Sequence, residues 1–367
     1  MASPGRRRRP TQVDIARHAG VSQATVSLVI SGGPASDQVA EATRQAVLAA
    51  AEELGYSANA AARSLKGGRN HLLGLYTFEP VFPVDQRDFY YPFLLGVEEE
   101  TAQQGYDLLL FSSAGSGGDR RIYARGANRL KVADGCVLLG RHLHRDDLAH
   151  LVQEDFPFVF IGRREVPGAE LSYVAVDYAA ATRELVQTLA RLGHRTMLYL
   201  QVTGGDEPTR DREAGYRQGL SDAGISVDES LIHPLRSPAD LTPGTVQTWL
   251  DAGVTAVLVE PTEDDSTVVA VEDAVTRAGL RIPEDISVAL LGDPPLSDAT
   301  ARDWTRFTLP RTDMGRQAVR LLLDLLDDPN DDARQLLVPA DQVTGETIAA
   351  PPSTIVDDQV GHGQTGG

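Results

Sequence analysis

Ser22 and Gln23 open a short amphipathic run, QATVSLVI, that follows Gly20 and Val21. Serine is a strong helix N-cap, and a helix-turn-helix arrangement presents the first residues of its second helix to base edges in a major groove. That chemistry is recognition, built from hydrogen bonds and apolar contacts, with no bond broken. Bond-breaking constellations are missing: there is no Gly-x-Ser-x-Gly nucleophile, no His-x-x-x-His metal pair and no phosphate loop. The expectation is a chain with no catalytic residue, no metal site and no cofactor.

The elements that would position Gln23 are three short helices over residues 11–57. The first covers VDIARHA at 13–19 and is broken by Gly20. The second is the QATVSLVI run, with Ala24, Val26 and Ile30 at small or apolar positions. SGGPAS at 31–36 reads as a turn region. The third has Val39, Ala42, Ala46, Val47, Ala50 and Leu54 at helical spacing, with Gly55 placed to end it. A tight turn between the first two helices fits a helix-turn-helix. An unrelated three-helix bundle is the other reading of the same pattern.

Charge supports the first reading. The 367-residue chain carries a net charge of −18, yet residues 1–70 hold nine Arg or Lys against five Asp or Glu. A basic head on an acidic body confines phosphate contact to the head. The single cysteine, Cys136, lies in an apolar run, so no internal disulfide forms and a reducing, cytoplasmic setting is expected. No apolar stretch follows Arg6 to Arg9, which argues against a signal peptide, and no membrane span is expected.

From Leu72 the pattern changes to alternating strands and helices. LLGLYT, YDLLLFSS, GCVLLG and FPFVFIG read as strands, FLLGVEEETAQQG and RIYARGANRLKVA as helices. A second series follows Val174: helix AAATRELVQTLARLG, strand TMLYLQV, helix REAGYRQGLSDAG, strand VTAVLVE, a helix near 268–278 and strand ISVALLG. Two such series predict two α/β lobes with mostly parallel sheets. His194, in the turn LGHR, reads as structural.

DIARHAGVSQATVS at 14–27 and NAAARSLKG at 59–67 resemble the DNA-binding head and hinge of the LacI/GalR family of bacterial regulators. ADGCVLLG, LARLGHRTMLYL, REAGYRQGLSDAGI, GLRIPEDISV and RTDMGRQAVRLLLDLL are similar to the family's body segments, in the same order. The resemblance implies an all-α helix-turn-helix head plus a two-lobed, periplasmic-binding-protein-like α/β body crossed three times by the chain. The implied division is a basic tail at 1–10, the head at 11–57, a hinge helix and linker at 58–70, the body at 71–358 and a tail at 359–367. Within the body, the first lobe would hold about 71–175 and 302–333, the second about 176–301 and 334–358.

The same resemblance assigns base reading to Gln23, Ala24 and Leu28. Gln can pair bidentately with adenine and Ala can touch a thymine methyl. Many relatives carry Arg at the position of Leu28, which cannot donate to guanine. Ser22, Thr25, Ser27, Asn59, Arg63, Leu65 and Lys66 are implied backbone or minor-groove contacts, with Leu65 as an apolar wedge and Arg69 as a further phosphate contact. Arg212 and Asp177 match residues the family uses on its effector, with a helix cap as the other reading of Asp177; Phe89 and Tyr90 lie after the first strand, where they can stack on an effector face, and Asp293 joins the set through a one-residue local shift. Two positions depart from the family. Pro261 and Thr262 stand where relatives commonly carry Asn-Asp, and Gly292 stands at the usual ligand aspartate, one place before Asp293.

The implied function is a sequence-specific DNA-binding transcriptional regulator, a repressor whose hold on a pseudo-palindromic double-stranded operator is modulated by a small-molecule effector of unknown identity. It would act as a homodimer. No leucine heptad after 340 points to a tetramer. A regulator with a degenerate cleft and a transport-type solute-binding protein are the alternatives. GGDEP at 204–208 superficially matches the signature of cyclic-dinucleotide synthases, but its place behind the strand TMLYLQV fits a cleft loop.

Overall fold

The computed structural model describes residues 10–31, 38–56, 69–78, 84–111, 121–124, 126–140, 144–202, 206–262, 266–294, 302–328 and 332–352, with the side chains of 31, 84–88, 124 and 266 excepted. Three helices form the head: α1 (Gln12–Ala19), α2 (Gln23–Ser31) and α3 (Glu41–Glu53). Each has a local cause. Thr11 and Asp14 close a capping box on α1, with the Thr11 N–H donating to Asp14 at 2.8 Å. Gly20 ends α1 at φ +66°. Ser22 Oγ accepts the Thr25 N–H at 3.0 Å and starts α2. After α3 the Tyr56 N–H returns to the Ala51 carbonyl at 2.8 Å over Gly55 at φ +63°. Ile15, Val26 and Val47, all fully buried, join the helices in one small core.

The body begins with β1 (Leu72–Thr77) and contains two six-stranded sheets. In the first, β1 lies between β2 (Asp107–Phe111) and β5 (Gly135–Leu139). β6 (Phe158–Ile161), β7 (Tyr173–Val176) and β13 (Gln335–Val338) follow in that order, all parallel. In the second, the order is β14 (Asp341–Val343), β12 (Arg306–Thr308), β11 (Ser287–Leu290), β10 (Ala256–Val259), β8 (Met197–Val202) and β9 (Ile232–Leu235). Only the pair β12–β14 is antiparallel. Apolar side chains cover both faces of each sheet. Along β1, Leu73 and Leu75 pack to one side and Leu72 and Tyr76 to the other. Strands buried on both faces explain why these segments read as continuous apolar runs.

Two expectations need correction. RIYARGANRLKVA is not a helix. It forms a hairpin of β3 (Tyr123–Ala124) and β4 (Ala127–Asn128), then a short 3-10 turn. Gly126 at φ +76° interrupts helical backbone, and the Asn128 carboxamide accepts the Leu130 N–H at 2.9 Å. The crossing points also differ from those expected. β12, at 306–308, pairs within the second sheet rather than the first lobe, and β13, at 335–338, pairs within the first sheet. The chain therefore passes between lobes after Val176, between β12 and Arg311, and between β13 and β14. β12 has three residues and β13 a single buried one, so neither leaves a hydrophobic signature.

Each lobe also packs two helices together through glycine. α4 (Val84–Gln103) meets α10 (Arg311–Asp327) at Gly96, where an added Cβ would stand 1.9 Å from the Thr312 carbonyl oxygen. In the second lobe α6 (Tyr178–Leu192) meets α7 (Glu207–Asp222) at Gly215, where a Cβ would stand 2.2 Å from the Ala179 oxygen. His194 is fully buried, bonded to Thr255 Oγ1 and to the Ala349 carbonyl at 2.8 Å each. It ties the last described segment to the second lobe. Burial pushes the Cys136 thiol well up, so it stays protonated. Gly96→Ala must force α4 and α10 apart. Urea unfolding of the body should show a loss of about 1–3 kcal/mol; an unchanged midpoint would refute the close contact.

Candidate functional site

On the head, α2 turns Val26 and Val29 inward and leaves Gln23, Ala24 and Leu28 exposed, Leu28 by 41%. Gln23 and Ala24 open the helix and Leu28 lies one turn after Ala24. The Ser22 and Thr25 hydroxyls bond to each other at 2.8 Å, and Ser27 is half-buried. His18 meets Glu53 at 2.8 Å, linking α1 to the end of α3. Asn59, Arg63, Leu65 and Lys66 lie outside the described residues. The Arg69 guanidinium pairs with Asp327 at 2.7 Å and with the Leu326 carbonyl, which ties the chain to the end of α10. Beside it, the Asn70 and His71 N–H groups both donate to Asp134 at 2.8 Å.

In the body, Arg212 sits on α7 and is 8% exposed. Its Nε donates to the Leu291 carbonyl at 3.0 Å, and its Cζ lies 4.1 Å from the Tyr178 ring centroid. Neither terminal nitrogen meets an acceptor among the described residues. Each of these partners sits where a strand or crossing delivers it. Leu291 follows β11 directly. Tyr178 opens α6 just after the first crossing, behind Asp177, whose carboxylate accepts the Ala180 N–H at 2.8 Å. Of the two readings of Asp177, the cap is thus present.

A buried carboxylate, Glu260, locks the neighbouring strand ends. It is 1% exposed and accepts the Tyr199 hydroxyl, the Val202 N–H at 2.9 Å and the Thr209 hydroxyl at 3.1 Å. β8, β10 and the first turn of α7 are fastened together by this one side chain. Burial and then the Glu260 charge push the Tyr199 phenol far up, keeping it a donor. Sequence reasoning passed over Glu260, although it was visible as a charged residue closing the apolar run VTAVLV. Tyr178 was equally missed, one position after Asp177.

The two departures from the family prove to be physically coupled. A Cβ at Gly292 would stand 2.8 Å from Pro261 Cγ, so the proline ring fills the space a larger residue at 292 would use. Asp293 is engaged with other groups. It pairs with Arg311 at 2.8 Å and accepts the Leu309 N–H at 3.3 Å. Arg311 in turn covers Phe89, with Cζ 4.9 Å from the ring centroid. Tyr90 is corrected outright as a stacking surface: it is 1% exposed, edge-on to Phe89 at 5.0 Å, and belongs to the first-lobe core. The structure therefore brings Phe89, Asp293 and Arg311 together across the lobes, while the terminal nitrogens of Arg212 meet no acceptor among the described residues. Among the described residues, no group of three or more His, Cys, Asp or Glu is gathered to hold a metal, and no helix is long and apolar enough to cross a membrane.

Comparison with known proteins agrees with both parts. Residues 11–59 match the bacterial regulatory proteins of the lacI family, and residues 186–348 match the periplasmic binding protein-like domain. The chain is 34% identical over 332 residues to the HTH-type transcriptional regulator CelR of Thermobifida fusca, covering 87% of this chain and 92% of that one. It is 28% identical over 331 residues to the HTH-type transcriptional repressor PurR of Photobacterium profundum, covering 88% and 93%. A solved complex of the regulator CelR with cellobiose aligns at a TM-score of 0.62 and 29% identity, over 92% of this chain and all of that one. With a capped three-helix head, a two-sheet body crossed three times and identity along nearly its whole length, this chain belongs to the lacI family of bacterial DNA-binding transcription regulators.

Proposed function

We propose that the chain is a cytoplasmic, homodimeric repressor whose hold on a pseudo-palindromic operator is set by a small molecule bound between its lobes. Arg212 carries the effector half of this reading. A guanidinium that is 8% exposed, with its Nε held and both terminal nitrogens without an acceptor among the described residues, is placed to offer those donors to an external acceptor. Its planar fork suits a carboxylate or a pair of neighbouring oxygens. The strand-end loops beside it contribute little: Pro261 has no donor, Gly292 has no side chain, and Asp293 is held by Arg311. The ligand this favours is oxygen-rich and turns its acceptors toward Arg212. Asp177 and the exposed edge of Phe89 would flank it. The relative solved with cellobiose makes small oligosaccharides and their oxidised acids the first class to test.

The DNA half rests on the exposed patch of α2. Gln23 would pair with an adenine edge, Ala24 would touch a thymine methyl and Leu28 would add an apolar contact. Ser22, Thr25 and Ser27 would meet phosphates, which fix position without reading sequence. Asn59, Arg63 and Lys66 would do so from the hinge, and Leu65 would wedge into the minor groove. A dimer supplies one head per half-site. Ligand binding would favour one lobe arrangement and release the DNA.

Selection from random duplexes should return a two-fold symmetric site. On that site Gln23→Ala should lose about 1–3 kcal/mol and relax the preference at one base pair per half-site. A uniform loss across all sequences would instead place Gln23 on phosphate. Calorimetry against neutral oligosaccharides and aldonic acids tests the cleft. Arg212→Ala should weaken the best ligand by about 100-fold and Arg212→Lys, which keeps charge but not the fork, by about 10-fold. Equal affinity in all three proteins would overturn the cleft reading.

A further inference from the structure

GGDEP, the motif at 204–208 that neither site uses, places a second buried carboxylate at the start of α7. Asp206 caps the helix, its carboxylate accepting the Thr209 N–H at 3.2 Å. Glu207, the first helical residue, is 1% exposed; Arg210 of the same helix lies 3.9 Å away, and the closer side-chain and backbone partners of Glu207 come from the other lobe. Arg145, at the start of α5 (Arg145–Gln153), donates to its Oε1 at 2.9 Å. The backbone N–H of Glu165, in the segment after β6, donates to the same oxygen at 3.1 Å. Arg145 also donates to the Glu165 carbonyl, which makes the two first-lobe groups one clamp around the carboxylate.

Further ion pairs cross at the same rim. Arg163 of the first lobe meets Asp211 of α7 at 3.0 Å, and Arg210 of α7 meets Glu165 at 2.8 Å. Glu165 also lies 3.3 Å from Arg163, so the pairs form a network. Most of these side chains are a quarter to a half exposed, and such pairs contribute little one at a time. Glu207 is different. Burial pushes its carboxyl up, but its own and the Glu165 backbone N–H groups and Arg145 outweigh that and hold it below the ordinary range. It is therefore charged at neutral pH, and separating the lobes would take away Arg145 and the Glu165 N–H, leaving the charge only its own N–H and Arg210.

We propose that Glu207 is a positioning residue that latches the two lobes together at this rim and thereby sets operator affinity. It touches neither the Arg212 fork nor the α2 patch, and its grip needs no atom of an effector. It acts on the balance between lobe arrangements, so an effector has to work with or against a bias already built into the protein. This step rests on the reading that lobe arrangement governs the head, and the test separates the two ideas.

The test compares the full-length protein with Glu207→Gln, Arg145→Gln, the double variant, and Arg217→Gln as a control. Arg217 pairs with Glu229 inside the second lobe and should be silent. Small-angle scattering reports lobe separation directly. A fluorescence titration on the operator duplex recovered by selection reports the consequence. Glu207→Gln should increase the radius of gyration and change operator Kd by at least about tenfold. The double variant should add little beyond it, as expected for residues acting as a unit. If Glu207→Gln does not fold, the more exposed pair Arg163→Gln with Arg210→Gln must still widen the lobes. Scattering profiles matching the wild type would overturn the latch. A widened particle with unchanged operator Kd would keep the latch and overturn its link to DNA.

Discussion

A guanidinium taken out of water has to find acceptors, and much of the second lobe is arranged around one that has found only part of its set. Arg212 is held at one edge by the Leu291 carbonyl and along its face by Tyr178. Those two contacts fix its plane and leave the terminal donors aligned. Glu260 keeps the ground beneath it rigid by fastening β8, β10 and α7. Gly215 lets α6 and α7 approach closely enough for Tyr178 to reach the arginine. A binding group that must act as a fork cannot hang from a mobile scaffold, because a loosely held donor pair loses its directional advantage.

The second organising fact is that the chain crosses between lobes three times. Two parallel sheets joined this way can rotate against each other while each keeps its core. Among the described residues, charged contacts span the lobes: Glu207 with Arg145 and Glu165, Arg163 with Asp211, Arg210 with Glu165, and Asp293 with Arg311. Charged contacts are directional and strongly affected by water, so they suit a joint with two arrangements better than an apolar seam would. The segment that leads from the head meets the first lobe at Arg69, Asn70 and His71, clamped on Asp327 and Asp134. These clamps fasten the start of that segment to the first lobe.

Much of this was readable from local pattern. The head helices follow from a 3.6-residue period, a serine cap and two left-handed glycines, all local signals. The strands of both sheets were legible because double-sided burial writes continuous apolar runs. What escaped was long-range. β12 and β13 are too short and too exposed to show in hydropathy, and they decide which lobe the chain is in. RIYARGANRLKVA carries a helix-like spread of apolar residues, yet Gly126 and the Asn128 turn override it. Tyr90, Arg69 and Asp293 were assigned to partners outside the chain. Within the chain they meet the first-lobe core, Asp327 and Arg311, up to 258 residues away in sequence. No spacing rule connects such positions. The substitution of Pro261 with Gly292 was visible residue by residue, but only three dimensions show that one fills the other's space.

The central claim is that a single lobe equilibrium connects the cleft to the DNA head. It is tested most directly by measuring one coupling free energy from both ends. Operator Kd is titrated with and without saturating effector, and effector Kd with and without saturating operator duplex. The account predicts that the two ratios are equal, since linkage of binding equilibria is reciprocal, and that both fall to unity in Arg212→Ala. Tight binding of a cleft ligand with both ratios already at unity in the wild-type protein would contradict it.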